Sequence, residues 1–404
     1  MKLHPKRKNL YQRKIIPAMI AACGLAATLP GPGLAELASL SDVPLANSPS
    51  DAVLPNLMYI LDDSGSMMWD YMPDNIYTGP GAGAGNKNNC KTVSSCSAGG
   101  CNVNVLATPC TNGATPSDWG EAPYYSAQFN QIYYNPDVEY AAGVNSSGVT
   151  LGNANPAAAW ADAYLNTGTT RNLKTTYPEI YYCTVSSASA GQLTDAAVCR
   201  RNGKNNIPAS PNNYFLYWKN DVASGGYPAG SSTGNGFRNR AVRNTGNPYY
   251  FKIAAHEYCS DENLINCALA NADGTAPTGF TIPAPVRYCS GTANAASTAA
   301  ISDAASSTTP KCRKTFGVGT YEYPRYGRFT RVDITSSTTT YAKSATAVRP
   351  DCGSGATCTY DQELQNFANW HSYYRTRMAM MKTATGRAFR TIDDRYRVGF
   401  ITIN

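Results

Sequence analysis

The chain has 404 residues, enough for two or three domains, because chains beyond roughly 250–300 residues usually divide rather than enlarge one core. Only 15% of the residues are charged while 28 are Tyr and 34 are Gly, a composition that excludes highly charged intrinsic disorder. The net charge is +7, but six cations precede the first acidic residue; the remainder carries about +1 and has no broad basic surface for nucleic acid.

Residues 1–35 predict a secretory signal peptide. Residues 2–14 supply the cations, residues 15–29 are largely apolar, and a Pro/Gly segment ending at Ala35 follows. We expect cleavage after Ala35, with lipoprotein processing at Cys23 as the second interpretation. A membrane span is the other interpretation of this apolar run, but a span needs about 20 apolar residues and prolines crowd the run. No transmembrane span is therefore expected after signal removal. The product is therefore expected in the periplasm, in the outer membrane or at the cell surface.

Twelve cysteines remain once Cys23 leaves with the signal peptide. An even number in an exported chain predicts a disulfide framework, because the compartment is oxidising, whereas their spacing is poor for zinc. Proximity along the chain predicts four pairs: Cys183 with Cys199, Cys259 with Cys267, Cys289 with Cys312, and Cys352 with Cys358. The other four pair among themselves in one of three ways that spacing does not separate: Cys90, Cys96, Cys101 and Cys110.

Residues 56–70 predict a first strand and a following polar loop. The apolar run at residues 57–61 shows no alternation, which is typical of a strand buried on both faces. Residues 71–358 are rich in Gly, Ala, Ser, Thr, Asn and Tyr and contain all twelve cysteines, which predicts a loop-rich, disulfide-rich insertion. Its aromatic cluster favours core packing over a sugar-stacking platform: Tyr124, Tyr125, Phe129, Tyr133, Tyr134 and Tyr140.

Residues 359–404 predict a helix and a second strand. Thr359 and Gln362 can form a capping box, and apolar residues then recur every three or four positions as far as Ile392, which predicts one long amphipathic helix. Residues 396–403 read as a strand. Strand, insertion, helix and strand form one interrupted βαβ unit, so we expect an incomplete α/β, Rossmann-like sheet with parallel strands.

Two sets of polar residues on this helix have simple interpretations. His371 lies on the apolar stripe, where a core histidine that donates to a neighbour is commoner than a ligand. The basic residues are expected to form the solvated face of the helix: Arg375, Arg377, Lys382, Arg387 and Arg390.

Asp62, Ser64 and Ser66 follow the first strand directly. Ligands of open α/β sheets bind beyond the carboxyl ends of the strands, where alternate residues can turn three oxygens toward one point. Oxygen ligands favour a hard cation such as Mg²⁺ or Ca²⁺. A simple polar turn is the plainer interpretation. A hydrolase with Ser64 as nucleophile lacks the Gly-x-Ser-x-Gly elbow and an upstream histidine in the mature chain, so no enzyme is expected.

This strand and its Asp-x-Ser-x-Ser loop resemble the metal-ion-dependent adhesion site of von Willebrand factor A domains. The resemblance implies an A-type fold in which Ser64 and Ser66 bind the metal directly and Asp62 acts through water. The family adds a threonine and an aspartate from later loops, which would lie beyond Asn404. With at most three protein ligands, the divalent cation, Mg²⁺ or Ca²⁺, is expected to be held weakly.

Longer strings resemble the PilC/PilY family of type IV pilus tip and assembly proteins. They are residues 133–136 (YYNP), 285–289 (PVRYC), 321–329 (YEYPRYGRF), 363–370 (ELQNFANW) and 373–378 (YYRTRM). The resemblance implies an exported pilus-biogenesis and adhesion factor whose partners are minor pilins or the pilus tip and a host or abiotic surface. The calcium-binding β-propeller of the family has no counterpart in these 404 residues. A carbohydrate-binding surface protein that uses the Tyr-rich insertion, and a secreted hydrolase, remain the alternatives.

Overall fold

Small sheets joined by loops make up most of the structure that is described. The computed structural model describes residues 54–72, 125–183, 188–195, 198–201, 241–290, 299–317, 320–321 and 323–403. These residues belong to one compact unit, Leu54–Asn404. Several predictions lie outside the described residues: the signal peptide at 1–35, Tyr124, and Cys90, Cys96, Cys101 and Cys110.

The described strands are β1 Asn56–Asp62, β2 Ala159–Trp160, β3 Thr170–Arg171, β4 Tyr177–Cys183, β5 Cys199–Arg201, β6 Ala241–Gly246, β7 Tyr249–Ala254, β8 Glu257–Cys259, β9 Cys267–Leu269, β10 Ile282–Pro283, β11 Val286–Cys289, β12 Cys312–Arg313, β13 Tyr323–Tyr326, β14 Arg328–Asp333, β15 Thr340–Ala342, β16 Thr357–Thr359 and β17 Arg397–Ile403. The α-helices are α1 Ala190–Thr194, α2 Tyr360–Tyr373 and α3 Arg377–Phe389. Short 3-10 turns cover Gly65–Met68 and Pro350–Cys352.

The first and last strands pair in parallel, as the interrupted βαβ pattern predicts. The register runs from Asn56 opposite Arg397 to Asp62 opposite Ile403. Helix α3 contacts one face, where the Tyr59 hydroxyl lies 2.6 Å from Oγ1 of Thr385 and the Tyr59 ring packs against Phe389. Within the described residues this parallel sheet has two strands, so the von Willebrand A-type fold stays a prediction.

The expectation that the first strand is buried on both faces is wrong for the described residues. Met58 and Ile60 are 63% and 58% exposed, and Ile401 and Ile403 on the same face of β17 are 52% and 56% exposed. The absence of alternating polar residues in this run shows that the side chains are apolar, but it does not show that they are buried. Which of them is buried depends on the elements that cover each face, and within the described residues these four side chains stay exposed.

The single long helix predicted after Thr359 is two helices. The capping box of Thr359 with Gln362 is present at the start of α2. Residues 374–376 then leave the helical conformation, and the Thr376 side chain caps α3 by accepting from the amide of Ala379 at 3.1 Å. Threonine is a good N-cap, so the local hydrogen bond stabilises a new start where periodicity alone predicts continuation.

The tyrosine cluster is part of the core, as its packing interpretation predicts. Tyr125, Phe129, Tyr133 and Tyr134 are at most 2% exposed. The ring centroids of Tyr125 and Tyr249 stack 5.0 Å apart, and the Tyr133 hydroxyl donates to the Tyr249 carbonyl at 2.7 Å. Because these four rings are buried, they offer no surface platform for sugars.

Three of the predicted cysteine pairs are disulfides in the structure: Cys259–Cys267, Cys289–Cys312 and Cys352–Cys358. For the fourth, the antiparallel register of β4 and β5 places Cys183 directly opposite Cys199, and Cys199 is disulfide-bonded. Each described pair joins neighbouring strands or the ends of a short loop, so the bonds cross-link local structure within the insertion.

Candidate metal-binding loop

The Asp62 loop begins where β1 ends and turns back at once. The amide of Ser64 donates to Oδ1 of Asp62 at 2.9 Å, and Gly65–Met68 then forms the 3-10 turn. Within that turn the amide of Met67 donates to the Ser64 carbonyl at 2.9 Å. The local backbone therefore folds Asp62, Ser64 and Ser66 into one small loop, as their alternate spacing predicts.

The three predicted ligands lie together. The hydroxyl oxygens of Ser64 and Ser66 are 3.0 Å apart, and hydrogen bonds from the Ser64 side chain and backbone hold the pKa of the Asp62 carboxyl below its usual value. The carboxylate is therefore ionised at neutral pH, and Asp62 is exposed to solvent. The loop presents one full negative charge and two neutral oxygens to solvent, a donor set suited to a hard cation.

The spacing of the serine oxygens also fits adjacent ligands of a small cation. Oxygens at the ideal Mg²⁺ distance and at right angles to each other are separated by about 2.9 Å, whereas the Ca²⁺ distance gives roughly 3.4 Å. The observed 3.0 Å is close to the magnesium value, and it is equally a hydrogen-bond distance. The residues present therefore fit a divalent cation, and water would fill the remaining positions.

The second strand fixes the position of this loop. The amide of Asp63 donates to the carbonyl of Ile403 at 3.1 Å, which extends the β1–β17 pairing to the start of the loop. Asp63 is exposed, and among the described residues no hydrogen bond joins its side chain to the serine hydroxyls.

Arg377 holds the far side of the loop, and sequence reasoning misplaced it. Its amide donates to the Trp69 carbonyl at 3.0 Å, and its guanidinium donates to the Tyr71 carbonyl at 2.7 and 2.9 Å. The guanidinium also lies over the aromatic rings of Trp69 and Tyr71. The start of α3 is thereby tied to the segment that follows the 3-10 turn. A basic residue on a helix suggests solvent exposure, and no local signal reveals a backbone partner some 300 residues earlier.

Of the other basic residues on the predicted solvated face, some are exposed and others are partly buried or paired. Arg387 and Arg390 are exposed, but Lys382 pairs with Asp162 at 2.8 Å. Arg375 is half-buried and its Nε is buried. The prediction of one solvated face is therefore wrong for Arg375, Arg377 and Lys382, because loops of the insertion cover that side of the helices.

His256 and His371 are both buried away from the Asp62 loop. His371 is 2% exposed and donates to the backbone of Trp160, as the core interpretation predicts. His256 is 7% exposed and follows β7. In the described part of the chain no three His, Cys, Asp or Glu side chains form a metal-holding group, so cation binding here would depend on the serine hydroxyls.

The chain matches no protein-family model, no curated protein and no solved structure. Among the described residues, no helix has both the length and the apolar character needed to span a bilayer.

Proposed function

We propose that this protein is an exported, non-enzymatic adhesion and assembly factor of type IV pili, and that a divalent cation at Asp62, Ser64 and Ser66 mediates its contact with a partner. The observation that carries the proposal is the meeting of these three oxygens at the carboxyl end of a strand in a parallel pair. That edge is where open α/β sheets bind ligands. A carboxylate of the partner would complete the coordination of the cation.

The chemistry of the loop favours binding over catalysis. A nucleophilic serine needs a base within hydrogen-bond reach, and the neighbours of the Ser64 hydroxyl are Ser66 and Asp62. His256 and His371 are both buried elsewhere among the described residues. The hydrolase alternative therefore has no placed base.

Several residues of the strings that resemble the PilC/PilY family are buried: Tyr133, Tyr134, Arg287, Arg325, Phe367 and Trp370. Trp370 donates from Nε1 to the Ile132 carbonyl at 2.8 Å, and Glu363 accepts from Tyr134 and Arg349, each at 2.9 Å. The Tyr134 contact joins α2 to the YYNP segment, and the Trp370 contact joins it to Ile132 just before that segment, both more than 200 residues earlier. Residues that a family shares in its core support a common architecture for the insertion, and the pilus assignment rests on that resemblance.

The proposal is tested in the native organism with a double variant in which Ser64 and Ser66 are both replaced by Ala. The number of surface pili and the number of adherent cells are measured with and without EDTA. We expect the double variant to be exported and disulfide-bonded normally but to lose the chelator-sensitive part of adhesion. Asp63→Asn is the matched control, because it removes the neighbouring carboxylate that lies outside the pattern. Adhesion that ignores both EDTA and the serine substitutions would contradict the metal mechanism.

A further inference from the structure

A polar pocket lies in the insertion, between the β2–β3 hairpin and the end of α2. Its volume is 210 Å³, and its polar lining consists of Arg171, Arg375, His371, Thr169, Thr170 and Thr176. Because a water molecule in the liquid occupies about 30 Å³, the pocket is large enough for a carboxylate group and several further atoms. It is smaller than the pockets of roughly 300 Å³ and above that accept drug-sized ligands.

The two arginines of this pocket differ from the buried arginines around it. Arg287, Arg325, Arg331 and Arg349 each face a carboxylate at 2.8–3.0 Å. In the described part of the chain Arg171 and Arg375 form no ion pair and no side-chain hydrogen bond, and Nε of Arg375 is buried without a partner. A buried donor left unsatisfied costs stability, so Nε of Arg375 needs an acceptor, which a ligand or a water molecule in the pocket would supply.

The surroundings do not neutralise these two charges. The C-terminus of α2 contributes roughly half a negative charge, against two full positive ones. Burial, with Arg375 and Arg171 nearby, holds the pKa of His371 well below its ordinary value, so the imidazole is neutral and adds no third cation. At the edge of this region, burial and the negative charge of Asp70 raise the pKa of Tyr177, whereas the positive charges of Arg375 and Arg171 lower it. One carboxylate thus stands against two guanidinium groups. The pocket therefore keeps a net positive potential.

We propose that this pocket binds a small hydroxylated carboxylate, such as one sugar-acid residue, with Arg171 and Arg375 on the carboxylate oxygens and the threonine hydroxyls on neighbouring hydroxyl groups. Planar guanidinium forks match carboxylates in geometry and charge. Threonine hydroxyls both donate and accept, which suits a ligand that carries hydroxyl groups beside its charge. This site uses none of the residues of the Asp62 loop, so it stands whether or not that loop binds a metal.

The test is calorimetric titration of the purified full chain with glucuronate, with glucose and inorganic phosphate as comparison ligands. We expect glucuronate to bind and glucose not to bind. Arg171→Ala and Arg375→Ala should each weaken glucuronate binding by about tenfold or more, because each removes a charge-assisted contact. Lys174→Ala is the matched control; it removes an exposed positive charge from the β3–β4 loop outside the pocket lining and should change affinity by less than about twofold.

Arg375→Lys keeps the charge and most of the bulk, so it separates ligand contact from folding. With near-ultraviolet circular dichroism unchanged, it should still weaken glucuronate binding because the planar fork is lost. Equal binding of glucose and glucuronate would overturn the proposal, as would binding of phosphate without glucuronate. Glucuronate affinity that is unchanged in both Arg171→Ala and Arg375→Lys would overturn it as well.

Discussion

Glu257 and Arg287 form a fully buried ion pair in which Oε2 of Glu257 lies 2.8 Å from Nη2 of Arg287. Arg325 approaches the same carboxylate, with its Nη2 3.0 Å from Oε1. One glutamate thus balances two arginines, and Arg287 also donates to the backbone carbonyls of Leu264 and Ile301. These bonds join β8, β11 and β13 to the loops that carry two disulfides.

We expect Glu257→Gln to destabilise the protein strongly, because it removes the carboxylate that two buried guanidinium groups share. Loss of one partner from a buried ion pair costs about 3–5 kcal/mol. The free energy of unfolding, measured by urea titration with the disulfides intact, checks this. Asp393→Asn is the control, since it removes an exposed ion pair with Arg395 and should change the free energy far less. A change in Glu257→Gln no larger than in the control would contradict the assigned role.

The sequence predicts the elements of this protein better than it predicts their surroundings. The parallel pairing of β1 with β17, the Thr359 capping box and the tyrosine core all follow from local patterns or composition. Asp62, Ser64 and Ser66 come together because they are two residues apart, a distance at which sequence alone determines proximity.

Long-range contacts show where sequence reasoning stops. Glu257 and Arg287 are 30 residues apart in strands too short to show periodicity, so nothing local predicts that they are buried together. Arg375 and Arg377 look like solvent-facing residues on a helix until the loop partners are known. Burial of charge depends on which loop covers a helix face, and that information lies far away along the chain.

The disulfides should differ in their contribution to stability. Cys289 and Cys312 close a loop of sequence separation 23 and pack with Ile301 in a small buried cluster, whereas Cys352 and Cys358 are separated by 6. Loop-closure entropy predicts a loss of about 3 kcal/mol when the first bond is removed and about 2 kcal/mol for the second. Paired Cys→Ala substitutions compared by urea unfolding test this order, and the opposite order would show that chain entropy does not govern these bonds.

Stability should fall as the pH drops below about 6.5, because of His371. Burial beside Arg375 and Arg171 lowers its pKa in the folded state, so below pH 6.5 the unfolded chain binds a proton that the native state refuses. The slope for one such group is at most about 1.4 kcal/mol per pH unit.

Urea unfolding of the wild type and His371→Gln at pH 7.5 and 5.5 measures this effect. The Gln variant should lose most of the difference between the two pH values. His256→Gln is the comparison: burial also lowers the pKa of His256, but it is less enclosed and should account for a smaller part. Equal pH dependence in wild type and His371→Gln would show that His371 is not the group responsible.

The last prediction concerns the Asp62 loop and follows from its number of ligands. Asp62, Ser64 and Ser66 supply at most three protein oxygens, whereas Mg²⁺ takes six and Ca²⁺ six to eight, so water must fill the rest. We expect this chain to bind Mg²⁺ with a Kd of about 1 mM or weaker by calorimetry, in the range of weak extracellular sites. Ser64→Ala and Asp62→Ala should abolish the signal, because each removes an oxygen of the cluster, while Asp63→Asn should leave it unchanged. All three side chains lie outside the buried core, so thermal unfolding in EDTA should match the wild type in each variant. Cation binding that survived both Ser64→Ala and Asp62→Ala would place the metal elsewhere, and the loop would then be an ordinary polar turn.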